Sequence, residues 1–397
     1  MRGMAKGTVL VVGAGFLQSF LIRRVRDLGF TVVAVDRDPE AVGFGWAHKS
    51  EVVDIKDEQA CLAVAIRERI DAILSVSTDF AVRTVAFVAE SLGLPGLSTD
   101  AARICTNKAL MRRVLADQHV GSVAFATATS SAEAIEEASG IGFPCVLKPV
   151  DSVGSRGVSK AASTSQVADA FETASKASAS GQVIIEEFIE GPEVSVEAIT
   201  VDGETTIAAV TDKLTSGPPH FVEVGHTQPS VFSNEVIIRE TVKRCVTALG
   251  IDCSATHTEL KLTERGAAVI EVGARLGGDR ITSDLVPLST GIDLMEAVLL
   301  LSLGRNPDLI PKWAKGSAIR YAVVPPGKVK AVEGIEAARS VKGVMEVLVG
   351  VSVGDIVPSL RSSADRVAHV VTQGSDAAEA ATAAEEAISK MKIEVTA

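Results

Sequence analysis

Basic runs are missing from this sequence of 397 residues: 39 Lys and Arg stand against 50 Asp and Glu, a net charge of −11. That balance disfavours a nucleic-acid partner and fits a soluble protein with small or phosphorylated ligands, because acidity suits a site that collects Mg2+. Aromatics are scarce at 4%, while 47% of residues are hydrophobic, so Ala and Val carry the burial. No apolar segment reaches the roughly 18 residues that a membrane span needs. The five cysteines form no CxxC pair and read as buried thiols of a reducing compartment. Arg2 and Lys6 precede an apolar run like that of a signal peptide, but Gly13 and Gly15 break it, Arg23 and Arg24 close it, and no small-x-small cleavage site follows. A cytoplasmic protein is expected.

The length suits two or three domains. Up to Pro95, "TVLVV", "TVVAV" and "AILSV" alternate with helical patterns at 16–28, 58–69 and 80–92. Strands alternating with helices predict a doubly wound parallel sheet with its crevice at the strand C-termini, near Gly13 and Ser77-Thr78-Asp79. The texture then changes to charged helices, Gly-rich loops and longer alternating strands. "VSVEAIT" and "TTIAAVT" read as a hairpin about Asp202-Gly203. The last segment ends in an Ala/Glu helix from Ser375 to Met391. Boundaries are placed near 105 and 305, giving a Rossmann-like unit (1–105), a central α+β unit (106–305, with a lid at about 120–185) and a small α+β unit (306–397).

Three stretches carry chemistry. In "PCVLKPVDSVGSRGVSKA" a strand delivers Lys148 to a loop holding Ser152, Gly154, Ser155 and Gly157. Glycines let backbone amides approach phosphate oxygens and a Lys supplies the charge, although the order is not that of a Walker loop. In "VIIEEFIEGPEVSVE", Glu186, Glu187, Phe188 and Ile189 present backbone groups and an apolar wall to a base, and Glu193 can accept from ribose hydroxyls. In Thr256–Val272 a three-residue turn at Glu264-Arg265-Gly266 puts Glu259 across from Glu271. Two facing carboxylates repel unless a cation joins them, and hard oxygens beside phosphates suit Mg2+. Taken singly, each stretch also fits an ordinary turn, a solvated strand end or an exposed pair neutralised by Lys261 or Arg275.

In this order the three stretches resemble the ATP-grasp superfamily of carboxylate–amine ligases, most closely its L-amino acid ligases. The resemblance covers most of the chain and implies an α/β ATP-grasp fold with a Rossmann-like first domain and a small C-terminal domain. It implies nucleotide contacts at Lys108 and Lys148, a mobile phosphate loop over 151–157, an adenine hinge at Glu186–Ile189 and ribose contact at Glu193. It implies magnesium at Glu259 and Glu271, one ion or two, with Mn2+ able to replace it. Arg275 matches the Arg that meets phosphate and the reacting carboxylate. Gly273 stands where many members have Asn, which leaves a second ion's occupancy open. The first βαβ unit then carries no dinucleotide, in keeping with Gln18 at the third Gly of the NAD fingerprint.

The resemblance further implies that Glu223 and His226, in "GPPHFVEVGHTQPS", meet a substrate amino group, with His226 orienting it or taking a proton. The expected chemistry is transfer of the γ-phosphoryl of ATP to a carboxylate, then attack by an amine. Lys148 and Arg275 hold the developing charge, and Arg275, Gly277 and Gly278 meet the oxyanion. His257 is expected to orient Glu259. The partners are a small-molecule carboxylate and an amine, without nucleic acid or membrane; family members are often dimers. A purine-pathway ligase acting on a phosphoribosyl amine, and an ATP-binding protein without catalysis, are the alternative readings.

Overall fold

β1 (Thr8–Val12), β2 (Thr31–Asp36), β3 (Lys49–Val52) and β4 (Ala72–Leu74) form a parallel sheet in the order β3-β2-β1-β4. Its central strands read as continuous apolar runs because both faces are covered. Val9 and Val11 pack into one core, Leu10 and Val12 into another. The computed structural model describes residues 6–121, 123–218 and 220–396; Arg2 and Pro219 lie outside the described residues.

The dinucleotide crevice of this sheet is filled by its own side chains. Gln18 lies over the glycine turn, where a Cβ on Gly15 would stand 3.0 Å from its Oε1. Its Nε2 donates to the Val76 carbonyl at 2.7 Å. Asp36, placed for a ribose, accepts from the Ala14 amide at 2.8 Å and the Asp38 amide at 3.0 Å. The fingerprint thus closes its own loop.

β5 (Phe125–Ala128), β6 (Cys145–Pro149), β7 (Ser159–Ala161) and β8 (Val183–Glu187) make a small antiparallel sheet, β5-β8-β6-β7. Helices Ser131–Ile141 and Thr164–Ala177 cover one face, with Ala134, Ala138, Ala170 and Ala174 buried in that core.

The site rests on an eight-stranded sheet. β9 (Glu193–Val201), β10 (Glu204–Thr215), β11 (Glu223–Gln228), β12 (Ser254–Thr263) and β13 (Gly266–Gly273) are joined by β14 (Gly316–Tyr321), β16 (Val344–Val349) and β18 (Ala368–Gly374). The order is β13-β12-β9-β10-β11-β14-β18-β16, so the ladder runs past residue 305 without a break. β15 (Gly327–Glu333), β17 (Ile356–Val357) and β19 (Lys392–Thr396) form a separate three-stranded sheet. Helix Ala377–Lys390 packs Ala380 and Ala384 on Ala318 of β14.

Both hairpins read from the sequence form. β9 and β10 meet through Asp202 (φ 51°) and Gly203 (φ 78°), the two positive φ values of a type I′ turn. The β12–β13 turn differs from expectation. Thr263 pairs with Gly266, so only Glu264 and Arg265 form the turn, and a bulge at Ile270 restores the register that sets Glu259 opposite Glu271. The pairing is the expected one, reached by a shorter turn and an extra residue in the strand.

All five cysteines are free thiols, and burial pushes Cys61, Cys105 and Cys245 up to about 12. Among the described residues no single helix is long and apolar enough to cross a membrane.

Candidate active site

Alternation on β9 builds the floor of the site. Val194, Val196 and Ala198 enter an apolar core, while Glu193, Ser195 and Glu197 face the other way. Direct cross-strand partners share a face, so Glu271, Glu259 and Ser195 form one row and Lys213 and His226 another. Two of the cavities between this floor, the 151–157 loop and the small sheet gather the residues expected to bind ligands.

The first, of about 910 Å³, is lined by Lys108, Lys148, Ser152, Gly154, Ser155, Glu186, Glu187, Phe188, Ile189 and Glu193, and also by Glu259 and Glu271. The second, of about 1160 Å³, is lined by Glu223, His226, Arg275 and Gly278, with Asp79, Asp279 and Arg366. Glu259, Glu271, Lys213 and the loop residues Gly154 and Ser155 belong to both. The two expected ligand regions therefore meet at the two carboxylates expected to hold magnesium.

Gly157 does not line either cavity. At φ +80° a Cβ there would lie 2.6 Å from that of Ala177 and 2.9 Å from Pro149 Cγ, so the packing of the loop itself requires a glycine there. Gly277 is the second correction. Its amide donates to Glu197 Oε2 at 3.0 Å and is not free for an oxyanion. Gly278 keeps its place in the second cavity, facing Leu17 and Ser77.

In the first cavity Lys148 Nζ lies 2.7 Å from Glu186 Oε2, and Arg112 Nε donates to Glu186 Oε1 at 2.6 Å. Arg112 is 1% exposed and also donates to the carbonyls of Val269 and Ile270. Burial would raise the Glu186 pKa, but Arg112 and Lys148 prevail and hold it at about 2. The Glu186 carboxylate, expected at the adenine hinge, thus anchors a lysine. Glu187 caps the Ala124 amide at 3.0 Å and pairs with Arg265 at 3.0 Å. Phe188 has Lys160 Nζ 3.6 Å above its ring, and Ile189 is buried, accepting from Lys261 at its carbonyl.

Lysines neutralise the facing carboxylates. Lys108 Nζ donates to Glu271 Oε1 at 2.6 Å and to the Ser152 carbonyl at 2.8 Å. Lys213 Nζ lies 2.8 Å from Glu193, 2.9 Å from Glu259 and 3.3 Å from Glu223. Burial would lower the Lys213 pKa, yet these three acids raise it well above its ordinary value. His257 stands 3.5 Å from Glu259 through Nε2, while its Nδ1 contacts Glu197. Burial opposes charge on His257, but Glu197 overrides it and lifts the imidazole to about 9.

The donor set fits magnesium. Glu259 and Glu271 are direct cross-strand partners, they present hard oxygens, and each already attracts an ammonium. No group of three or more His, Cys, Asp or Glu placed to hold a metal occurs among the described residues. Phosphate oxygens and water would supply the remaining ligands, which suits an ion that keeps its waters.

Sequence reasoning missed Lys213, Arg112, Glu197, Asp279 and Arg366. Lys213 and Glu197 had a signal, a polar residue on the same strand face as recognised ones. Arg366 had none: it lies 87 positions from Asp279, whose carboxylate it grips through Nη1 at 2.8 Å and Nη2 at 2.6 Å. Arg275 likewise grips Asp79 through Nε and Nη2, each at 2.9 Å.

Residues 141–284 match the family model of an ATP-grasp domain, and residues 320–396 match that of L-amino acid ligase C-terminal domain 2. An uncharacterized protein of Sinorhizobium fredii is 28% identical over 382 residues, 93% of this chain and 78% of its own length. A formate-dependent phosphoribosylglycinamide formyltransferase of Methanocaldococcus jannaschii is 32% identical over 233 residues, 57% of this chain and 56% of that enzyme. Among solved structures, the L-amino acid ligase from Bacillus licheniformis superposes with a TM-score of 0.85 at 22% identity, covering 99% of this chain and 100% of that one. The biotin carboxylase domain of Hydrogenobacter thermophilus 2-oxoglutarate carboxylase, solved with MgADP and bicarbonate, gives 0.75 at 18% identity, covering 98% and 90%. The chain therefore has the fold of these structures, with an ATP-grasp domain matched over residues 141–284 and an L-amino acid ligase C-terminal domain 2 over residues 320–396.

Proposed function

We propose that this ligase activates the carboxylate of an L-amino acid as an acyl phosphate, at the expense of ATP, and joins it to an amine to give an amide or dipeptide. The observation that carries this reading is the charge of the second cavity. Its two arginines are each held by a carboxylate through paired hydrogen bonds, and Lys213 is shared among three acids. Asp79, Glu223, Glu259, Glu271 and Asp279 still outnumber Lys213, Arg275, Arg366 and the charged His257 around it, by one. A cavity with surplus acid and engaged cations suits an ammonium better than a phosphoribosyl dianion.

In this reading residues 106–305 hold the nucleotide, with Lys108, Lys148 and the loop amides at the phosphates and the 186–189 segment against the base. Residues 1–105 contribute Asp79 and Leu17 to the substrate side, and 306–397 contribute Ser363 and Arg366. Glu223 takes the ammonium of the activated amino acid. Bound magnesium would shield the charge of the transferring phosphoryl group between Glu259 and Glu271. Closure of the loop over the site would keep water from the acyl phosphate.

The test is phosphate release from ATP and Mg2+ with pooled, then single and paired L-amino acids. Release that needs two amino acids, with a product of their summed mass less water, supports the reading. Silence with every amino acid and turnover with a phosphoribosyl amine refutes it, and the formyltransferase relatives make that the second reading to try. Glu271→Gln removes one of two opposed carboxylates. It is expected to raise the Mg2+ concentration for half-maximal activity by about tenfold or more, read from a magnesium titration of ATP turnover.

A further inference from the structure

Joining two amino acids needs room for both, and the nucleotide and the activated amino acid already claim the first two cavities. A third cavity, of about 920 Å³, opens between residues 1–105 and the phosphate loop. It reaches the same carboxylates from another side. Asp79 lines both it and the second cavity, and Glu271 and Val153 line all three. The acyl phosphate would form at this junction, so a molecule held in the third cavity has a direct approach to it.

The charge of this cavity is sorted by depth. At its inner end stand Glu271 and Asp79, the latter 12% exposed, against the single ammonium of Lys108. At its mouth stand Lys56, which is exposed, and Arg83, whose side chain is 59% exposed. Glu58 lies beside them, with its Oε1 3.7 Å from Arg83 Nε, longer than a hydrogen bond. Lys56 is paired with no acid among the described residues and rests 4.1 Å over the Phe80 ring. The remaining acid of the wall, Asp151, is spent on the amides of Ala179 and Ser180, at 3.2 Å each. Acids inside and uncommitted cations outside match a zwitterion that enters ammonium first and leaves its carboxylate at the mouth.

We propose that the third cavity is the acceptor subsite: it takes the amino acid whose amine is acylated, and Lys56 and Arg83 hold that molecule's free carboxylate. The inference rests on the amino acid ligase reading and adds a place to it. The donor lies in the second cavity, and the acceptor comes to Glu271 and Asp79 through the third. Phe80 and Val153 give the acceptor side chain an apolar wall. Because the two cations are contacts that only a free carboxylate can use, an amino acid should be a better acceptor than its own amide.

The test replaces both cations, Lys56→Met with Arg83→Met, since one exposed cation contributes little by itself. Dipeptide formation is followed with the acceptor supplied as the free amino acid and as its amide. Hydroxamate formation is followed with hydroxylamine, which has no carboxylate, in place of the acceptor. The KM for the free acid is expected to rise about tenfold and that for the amide far less, so the preference between them disappears. The donor KM in the hydroxamate assay should move little. Each single variant should show part of the same loss and decides the matter if the double variant fails to fold. An equal rise for acid and amide would make the cations structural, an unchanged acceptor KM would remove them from the subsite, and a rise confined to the donor would give the cavity to the donor; each overturns the proposal. Absence of hydroxamate from the unaltered enzyme with every amino acid would instead overturn the reading on which it rests.

Discussion

Lys148→Ala is expected to abolish ATP turnover in a protein that still folds. The lysine is 2.7 Å from Glu186 and lines the first cavity beside the phosphate loop, so its ammonium is preorganised toward the nucleotide. Loss of one such electrostatic contact costs about 10²–10³-fold in rate, or more where charge moves between phosphates. The fold should survive because Glu186 keeps Arg112, whose Nε remains 2.6 Å away, and no carboxylate is left alone. The measurement is phosphate release alongside a thermal melt. A folded variant with near-normal turnover would take Lys148 out of the mechanism.

Arg112→Met should behave in the opposite way, with stability suffering first. Arg112 is 1% exposed, binds Glu186, and satisfies the Val269 and Ile270 carbonyls on the strand that carries Glu271. Its loss leaves the buried Val269 and Ile270 carbonyls without this donor and Glu186 with Lys148 alone of its two cations, at a cost of about 3 kcal/mol. Glu186 sits at about 2 in the folded protein, below its ordinary value, so its pairing stabilises the fold above the unfolded carboxyl range. That contribution is lost progressively as pH falls from the ordinary carboxyl range through about 2. The deficit of the variant should therefore be full at neutral pH and shrink in acid, where Glu186 can protonate. Urea denaturation of both proteins at pH 7 and pH 4 checks the size and the sign; a deficit that grows in acid would contradict it.

Much of the site was legible because it is written in strand alternation. "EVSVE" puts Glu193, Ser195 and Glu197, and "HTELK" puts His257, Glu259 and Lys261, on every second residue, and "VGAGFLQSF" announces a parallel sheet with a glycine turn. The turn between Glu259 and Glu271 was misjudged by one residue, yet the bulge at Ile270 returned the two acids to the same pairing. Local chemistry also misled. Gly157 and Gly277 belong to glycine-containing stretches suited to a ligand, but one is a packing requirement and the other has spent its amide on Glu197.

By itself the sequence determined the element types, the opposed carboxylates and the lysine before the loop, because these depend on residue spacing along single strands and turns. Only the tertiary structure decided which charges are already spoken for. Asp36 serves its own loop, Glu186 a lysine and an arginine, and Asp279 an arginine and a histidine. Such pairings join residues up to 196 positions apart, as in Arg275 and Asp79, and spacing along the chain carries no trace of them. They arise because a buried charge must find its partner wherever the packing of the sheets brings one near.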